Sequence, residues 1–240
     1  GIDMGATHVT LLLADFSARL ILELEEALDI NMGPQPCLEV VDRIMRELLQ
    51  KAGLGIEQIL AIGVGVPGPT VIEAGMVSGP PIMPGWDGYP IREHLQTLWN
   101  CPVSLNNDAE LGALGEWSYG AGRGERELVY VKVGTGIGSG LLLDGQIYHG
   151  SNGSAGEIGH TTIEENGPLC VCGNRGCLEA LAGGRAVAQR AIDAVHKGQR
   201  TILAEVSPLD GMNWRDVVHA ARRGDLVAQH IVAEAGAHLG

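Results

Sequence analysis

The apolar positions of this chain change period several times, and the changes outline its elements. Ile2 leads into the tight stretch Asp3-Met4-Gly5-Ala6-Thr7, an apolar run follows over 9–14, and a turn near Ser17 precedes another strand. Over 36–52 the period becomes helical, with Leu38, Val41, Ile44, Met45, Leu48 and Leu49 at the spacing of a helix packed on a sheet. Residues 59–66 read as a buried strand running into Pro67-Gly68-Pro69. A short strand over 103–105 ends at Asn106-Asn107-Asp108, and a helix follows over 109–119. On composition Asp108 is the expected N-cap of that helix, a role that needs no function. Further strands are expected over 128–133, 141–143 and 147–148, the last two joined by a hairpin turn at Gly145. Helices then fill 184–196, with Val187, Ala191, Ile192 and Val195 on one face, 213–222 and 225–239. Gly224 stops the first of the last pair and Asp225 caps the second.

Composition narrows the class. Hydrophobic residues at 45% with 36 glycines fit a soluble α/β protein with many tight turns. A length of 240 residues can bury one large core or two lobes. One Phe and four Tyr make that core aliphatic. A formal charge of −13 argues against nucleic-acid binding by this segment itself, since phosphate contacts need clustered Lys and Arg. No apolar run reaches membrane-spanning length, and the start lacks a basic-then-apolar signal pattern. A cytoplasmic location is therefore expected, and it suits thiolates reserved for metal. Cys37 and Cys101, in helix-like and strand-like contexts, read as core fillers.

The densest chemistry lies in residues 157–179, EIGHTTIEENGPLCVCGNRGCLE, which hold three of the five cysteines. A structural zinc site takes four ligands at tetrahedral corners, and His160, Cys170, Cys172 and Cys177 make a Cys3His set. Gly173 and Gly176 allow the backbone to turn Cys172 and Cys177 toward one centre. Three free thiols, or a disulfide with one cysteine left over, are the alternatives. Two glycine turns are also notable. In DMGAT, Gly5 and the Thr7 hydroxyl can approach phosphate oxygens closely, and Asp3 is a candidate to face magnesium through water. In VGTGIGSG, Gly134, Thr135 and Gly136 lie between two strands, where backbone N–H groups can cradle phosphate. No helix follows GTGIG, so a dinucleotide-binding reading fails on context.

EIGH followed by CxCGxxGCxE resembles the double signature of the ROK family of bacterial sugar kinases and sugar-responsive transcriptional repressors. The resemblance covers nearly the whole chain. It implies an α/β actin-like ATPase (ribonuclease H-like) two-lobe fold with mixed sheets, with lobes over 1–109 and 110–240 and a zinc loop over 157–179. It also implies a chain trimmed at its ends, lacking the C-terminal part that holds the adenosine. Glu157, His160 and Glu179 would contact a sugar, His160 would also bind zinc, and the zinc would staple the loop. NDA would supply Asn107 as a sugar contact and Asp108 as the catalytic carboxylate that positions and accepts the hydroxyl proton. Asp3, Gly5 and Thr7 would form the first phosphate loop, and Gly134, Thr135 and Gly136 the second.

Departures from the kinase pattern matter here. Kinases of the family usually read DIGGTK where this chain has Ala6 and His8, a variant that looks like the repressor branch. They tend to place a sugar-binding asparagine at the position of Ile82, and a third glycine at the position of Ser139. The reading favoured is the effector-sensing region of a sugar-responsive regulator whose DNA-binding domain precedes residue 1. It would act as a homo-oligomer, dimer or tetramer, with DNA reached only through that other domain and no membrane partner. The alternative is a glucokinase-like hexose kinase using Asp108 and MgATP. Ligand binding would close a cleft between lobes in either case.

Overall fold

The computed structural model describes residues 1–80, 82–151 and 153–240. The chain forms two compact units, Gly1–Tyr130 with Gly140–Ala155, and Val131–Ser139 with Gly156–Gly240.

The first unit is built on a five-stranded sheet in the order β3-β2-β1-β4-β7. Strands β1 (Ile2–Met4), β2 (His8–Ala14) and β3 (Leu20–Ala27) pair antiparallel; β4 (Ile62–Val66) and β7 (Val103–Asn107) add in parallel to β1. Strand β2 alternates, burying Val9, Leu11 and Leu13, and β4, between β1 and β7, buries Ile62, Val64 and Val66 on one face and carries only Gly63 and Gly65 on the other. A two-stranded ladder of β5 (Thr70–Val71) and β6 (Met76–Val77) follows β4. Helix α1 (Pro34–Ala52) starts with a proline in its first turn, where no intrahelical donor is lost, and ends at Gly53 in the left-handed conformation (φ 69°). Cys37, Leu38, Val41, Ile44, Met45, Leu48 and Leu49 form its buried stripe, as the spacing predicts. Trp86 is buried and donates Nε1–H to the Ile30 carbonyl at 3.1 Å, which satisfies the one polar atom of its ring. Helix α2 (Ile91–Trp99) leads to β7, and α3 (Asp108–Tyr119) begins where β7 ends. Cys101 lies in the bend between α2 and β7 and is half-buried, not in a strand, because Pro102 delays the strand to Val103.

A three-stranded sheet in the order β10-β9-β8 comprises β8 (Leu128–Val133), β9 (Ile137–Leu143) and β10 (Gln146–Ile147). Asp144 and Gly145 both have positive φ (51° and 75°), the mirror-image turn that matches strand twist in a hairpin.

The second unit gathers α4 (Leu178–Ala182), α5 (Gly184–His196), α6 (Trp214–Arg222) and α7 (Leu226–Leu239) around Ile137, Val187, Ala191, Leu203, Val217 and Ile231. Asn213 caps α6 in a reciprocal box with Asp216. Asp225 caps α7 by accepting from Ala228 N at 2.9 Å, and it also accepts from Ile202 N at 2.8 Å. Among the described residues no helix is long and apolar enough to cross a membrane.

Candidate functional site

β1, β4 and β7 run parallel, so their C-terminal ends share one edge of the sheet, the edge at which open α/β sheets take ligands. The 5–8 turn, the 67–69 turn and the start of α3 follow these three ends. Asp3 pairs in register with Gly65, and Gly65 with Asn106. A Cβ at position 65 would lie 3.6 Å from both Asp3 Oδ1 and Asp108 Cα, so glycine there lets β1 and α3 close on one spot. The sequence candidates Asp3, Asn107 and Asp108 are thereby brought together.

Their local roles differ from the sequence expectation in one respect. Asn107, not Asp108, is the N-cap of α3. It keeps an extended backbone (φ −64°, ψ 143°), and its Oδ1 accepts from Ala109 N at 2.8 Å and Glu110 N at 3.2 Å. Its Nδ2 donates to Gly68 O at 3.0 Å, tying the 67–69 turn to the helix start. Asp108 is the first helical residue, so capping does not account for it.

In the 5–8 turn, Gly5 N donates to His8 O at 2.8 Å, and the Ala6 and Thr7 carbonyls accept from Ile30 and Leu28. Thr7 is exposed, with Oγ1 3.4 Å from His8 Nδ1. Ala6 and Ile82, the two apolar departures from the kinase pattern, both pack against the hydrophobic core of this unit.

Sequence reasoning missed a carboxylate–imidazole pair beside this edge. Glu110, in the first turn of α3, is 3% exposed and holds His149 Nδ1 at 2.8 Å through Oε1. Its Oε2 is buried with no hydrogen-bond partner among the described residues. Glu110 sits three residues after the cap, where a glutamate usually returns to the cap N–H; it reaches His149 instead, 39 residues away in sequence. An open groove of about 590 Å³ lined by Trp117, Arg123, Arg126 and Asp144 contains none of these residues.

In the second unit, His160, Cys170, Cys172 and Cys177 converge, their ligand atoms all within 4.8 Å of one another. Cys172 Sγ and Cys177 Sγ are 3.7 Å apart, and Cys170 Sγ is 3.6 Å from His160 Nδ1. A tetrahedron with metal–sulfur bonds of ~2.3 Å and metal–nitrogen bonds of ~2.05 Å has edges of about 3.8 and 3.6 Å, so the donor set fits a four-coordinate ion. The sulfur separation is far beyond a disulfide bond of ~2.05 Å, and all five cysteines are free thiols. The turn glycines behave as expected: Gly173 and Gly176 have φ of 92° and 62°, and a Cβ at 176 would collide with the Glu164 carbonyl. Burial, followed by the neighbouring Cys172 and Cys170 thiols, pushes the Cys177 thiol up to about 12. For Cys172 burial also opposes ionisation, but the Asn174 N–H and the Cys170 and Cys177 thiols outweigh it and lower its pKa. A cation among these sulfurs would compensate the charge that burial penalises. His160 Nε2 lies 3.7 Å from Glu157 Oε2, within charge contact but too long for a hydrogen bond.

Glu179 stands on α4, two residues past Cys177, in a short helix that the sequence pattern did not disclose. Its Oε2 accepts from Ile137 N at 2.8 Å. Gly134 O and Thr135 O accept from Gly184 N at 2.8 Å and Arg185 N at 3.0 Å, the first donors of α5. The second glycine turn is therefore held by α4 and α5 together.

The ROK family profile matches residues 1–240. The chain belongs to the ROK family. Over 240 residues it is 32% identical to a xylose repressor from Caldicellulosiruptor bescii, covering all of this chain and 60% of that protein. It is 31% identical over 246 residues to a glucokinase from Halalkalibacterium halodurans, covering all of this chain and 73% of that protein. Its fold matches that of a ROK glucokinase from Streptomyces griseus, solved with glucose and AMPPNP, at a TM-score of 0.85 with 27% identity. That match covers 100% of this chain and 77% of the other. The chain thus spans less than two thirds of the repressor it resembles, and about three quarters of the kinases. The α/β fold with a mixed sheet agrees with the expectation from the signature motifs, as does the kinship with both repressors and kinases.

Proposed function

We propose that this chain is the sugar-sensing region of a ROK transcriptional regulator. The observation that carries the reading is the fate of positions 6 and 82. Where the kinase pattern has a flexible glycine and a polar asparagine, this chain has Ala6 and Ile82, both partly buried and packed against the core of the first unit. Repressor relatives, including the C. bescii xylose repressor, support the same reading. A pentose or hexose is the ligand class, with Asn107, Asp108, Glu157, His160 and Glu179 as its contacts. Carboxylates accept from vicinal hydroxyls and an amide both donates and accepts, which suits a polyol. Zinc is the ion proposed for His160, Cys170, Cys172 and Cys177; four protein ligands leave no open position, so its chemistry is that of a fixed anchor. DNA contact belongs to a domain outside this chain, and the assembly is a homo-oligomer.

A second reading, an ATP-dependent hexose kinase, is favoured by the approach of Asp3 and the Asp108 backbone around Gly65, and by the kinase relatives. In it Asp108 is the proton acceptor, and Asp3, Gly5, Thr7, Gly134, Thr135 and Gly136 serve MgATP. The test uses the full-length protein with xylose, glucose and N-acetylglucosamine. A sugar that raises the melting temperature and releases the protein from its operator DNA, with no sugar-dependent ADP production, is expected. Sugar-dependent ADP production that disappears in Asp108→Asn would transfer the assignment to the kinase.

A further inference from the structure

We infer that Glu179 is a positioning residue that ties the cysteine loop to the second glycine turn, and that its two oxygens divide the work. Oε2 holds the backbone of the turn; Oε1 remains for a ligand hydroxyl. The second half of this statement rests on the sugar-sensing reading, and the first does not.

Three observations carry it. Glu179 Oε2 accepts from Ile137 N at 2.8 Å, a charge-assisted bond between residues 42 apart in sequence. Its Oε1 has no hydrogen-bond partner among the described residues. A Cβ on Gly136 would stand 2.3 Å from Oε2, where the carboxylate already sits. Gly136 is not among the glycines with positive φ, so its backbone would accept alanine; occupied space, not conformation, is what demands glycine there. Gly134 is the contrast: a Cβ there meets nothing within 4 Å, and its φ is not positive either. Among the described residues the other hydrogen bonds of residues 134–136 are backbone ones, from Gly184 N to Gly134 O, Arg185 N to Thr135 O and, within the turn, Gly134 N to Gly136 O. Glu179 is thus the side chain that connects the loop closed by Cys177 to this turn. A ligand hydroxyl on Oε1 would orient the same carboxylate, so ligand binding and order in the turn reinforce each other, and by linkage they do so reciprocally.

The experiment is residue-resolved amide exchange on the full-length, metal-loaded protein, comparing wild type with Glu179→Gln, Glu179→Ala, Gly136→Ala and Gly134→Ala. Losing a bond to a charged acceptor should speed exchange of the Ile137 amide by roughly tenfold or more in Glu179→Ala. Glu179→Gln keeps a carbonyl acceptor and should restore most of the protection. Gly136→Ala should release the amide while Glu179 is still present, and Gly134→Ala should not. The α7 amides, which lie in the same unit as the substitutions, report whether each variant is folded. Ile137 protection that is unchanged in both Glu179→Ala and Gly136→Ala overturns the strut. Xylose, glucose and N-acetylglucosamine added to wild type should increase Ile137 protection for the sugar that binds. A sugar that binds without altering it removes the division of labour. If none of the three binds, the sugar reading fails with it, while the strut is still judged by the variants.

Discussion

Replacing Asn107 separates a residue that builds the site from one that merely lines it. Asn107→Ala removes the Oδ1 acceptor of two helix N–H groups and the Nδ2 bond to Gly68 O. Loss of an asparagine cap costs about 1 kcal/mol. The half-buried bond to Gly68 adds about 1 kcal/mol more. The total of about 2 kcal/mol is roughly a 30-fold shift in the local opening equilibrium. Asp108→Asn, one position on, leaves the Asn107 cap in place and should open the start of α3 less than Asn107→Ala does. Amide exchange at Ala109 and Glu110 reads the local effect, and urea unfolding followed by the four tryptophans reads the global one. Both are made without ligand, so that binding energy does not enter. If Asp108→Asn opened the start of α3 as far as Asn107→Ala, or if Asn107→Ala left Ala109 and Glu110 protected, the cap assignment would be wrong.

Other outcomes follow from the same geometry. The purified protein should contain close to one zinc per chain by elemental analysis, and Cys172→Ser should lose it; full metal retention in that variant would remove Cys172 from the ligand set. His149→Ala should cost about 2–3 kcal/mol in urea unfolding, because it strands the buried Glu110 carboxylate. Adding Glu110→Gln to His149→Ala should recover part of that loss, and no recovery would argue that the cost is packing alone. Asp225 is held below the usual carboxylate range: burial pushes it up, but the Ala228 and Ile202 N–H groups and the Thr201 hydroxyl more than offset that. A depressed folded pKa stabilises above the unfolded value and is lost as pH falls through the folded one. Asp225→Asn should therefore flatten the acid limb of the stability–pH curve, and an unchanged limb would refute this.

Much of the Cys3His cluster was legible in the sequence, because its four residues lie within 18 positions and its turn glycines announce themselves locally. The amphipathic stripe of α1 and the cap at Asp225 were legible for the same reason: each depends on side chains a few residues apart. The cap of α3 was misassigned because Asn107 and Asp108 are both good caps, and only the backbone shows which is the last extended residue. Cys101 was misplaced because the proline after it decides where the strand can begin.

The sequence by itself determined the period of each element, the donor set of the cysteine loop and the family signature, all properties of residues near one another along the chain. Tertiary structure decided the pairings that no local pattern encodes. Parallel β1, β4 and β7 bring Asp3, Gly68 and Asn107 to one edge of a sheet, although they are about 40 to 100 residues apart. Glu110 finds His149 across 39 residues, and Glu179 finds the Ile137 amide across 42. In each case a buried or half-buried polar group had to be satisfied, and only the packed backbone determines which partner lies within reach.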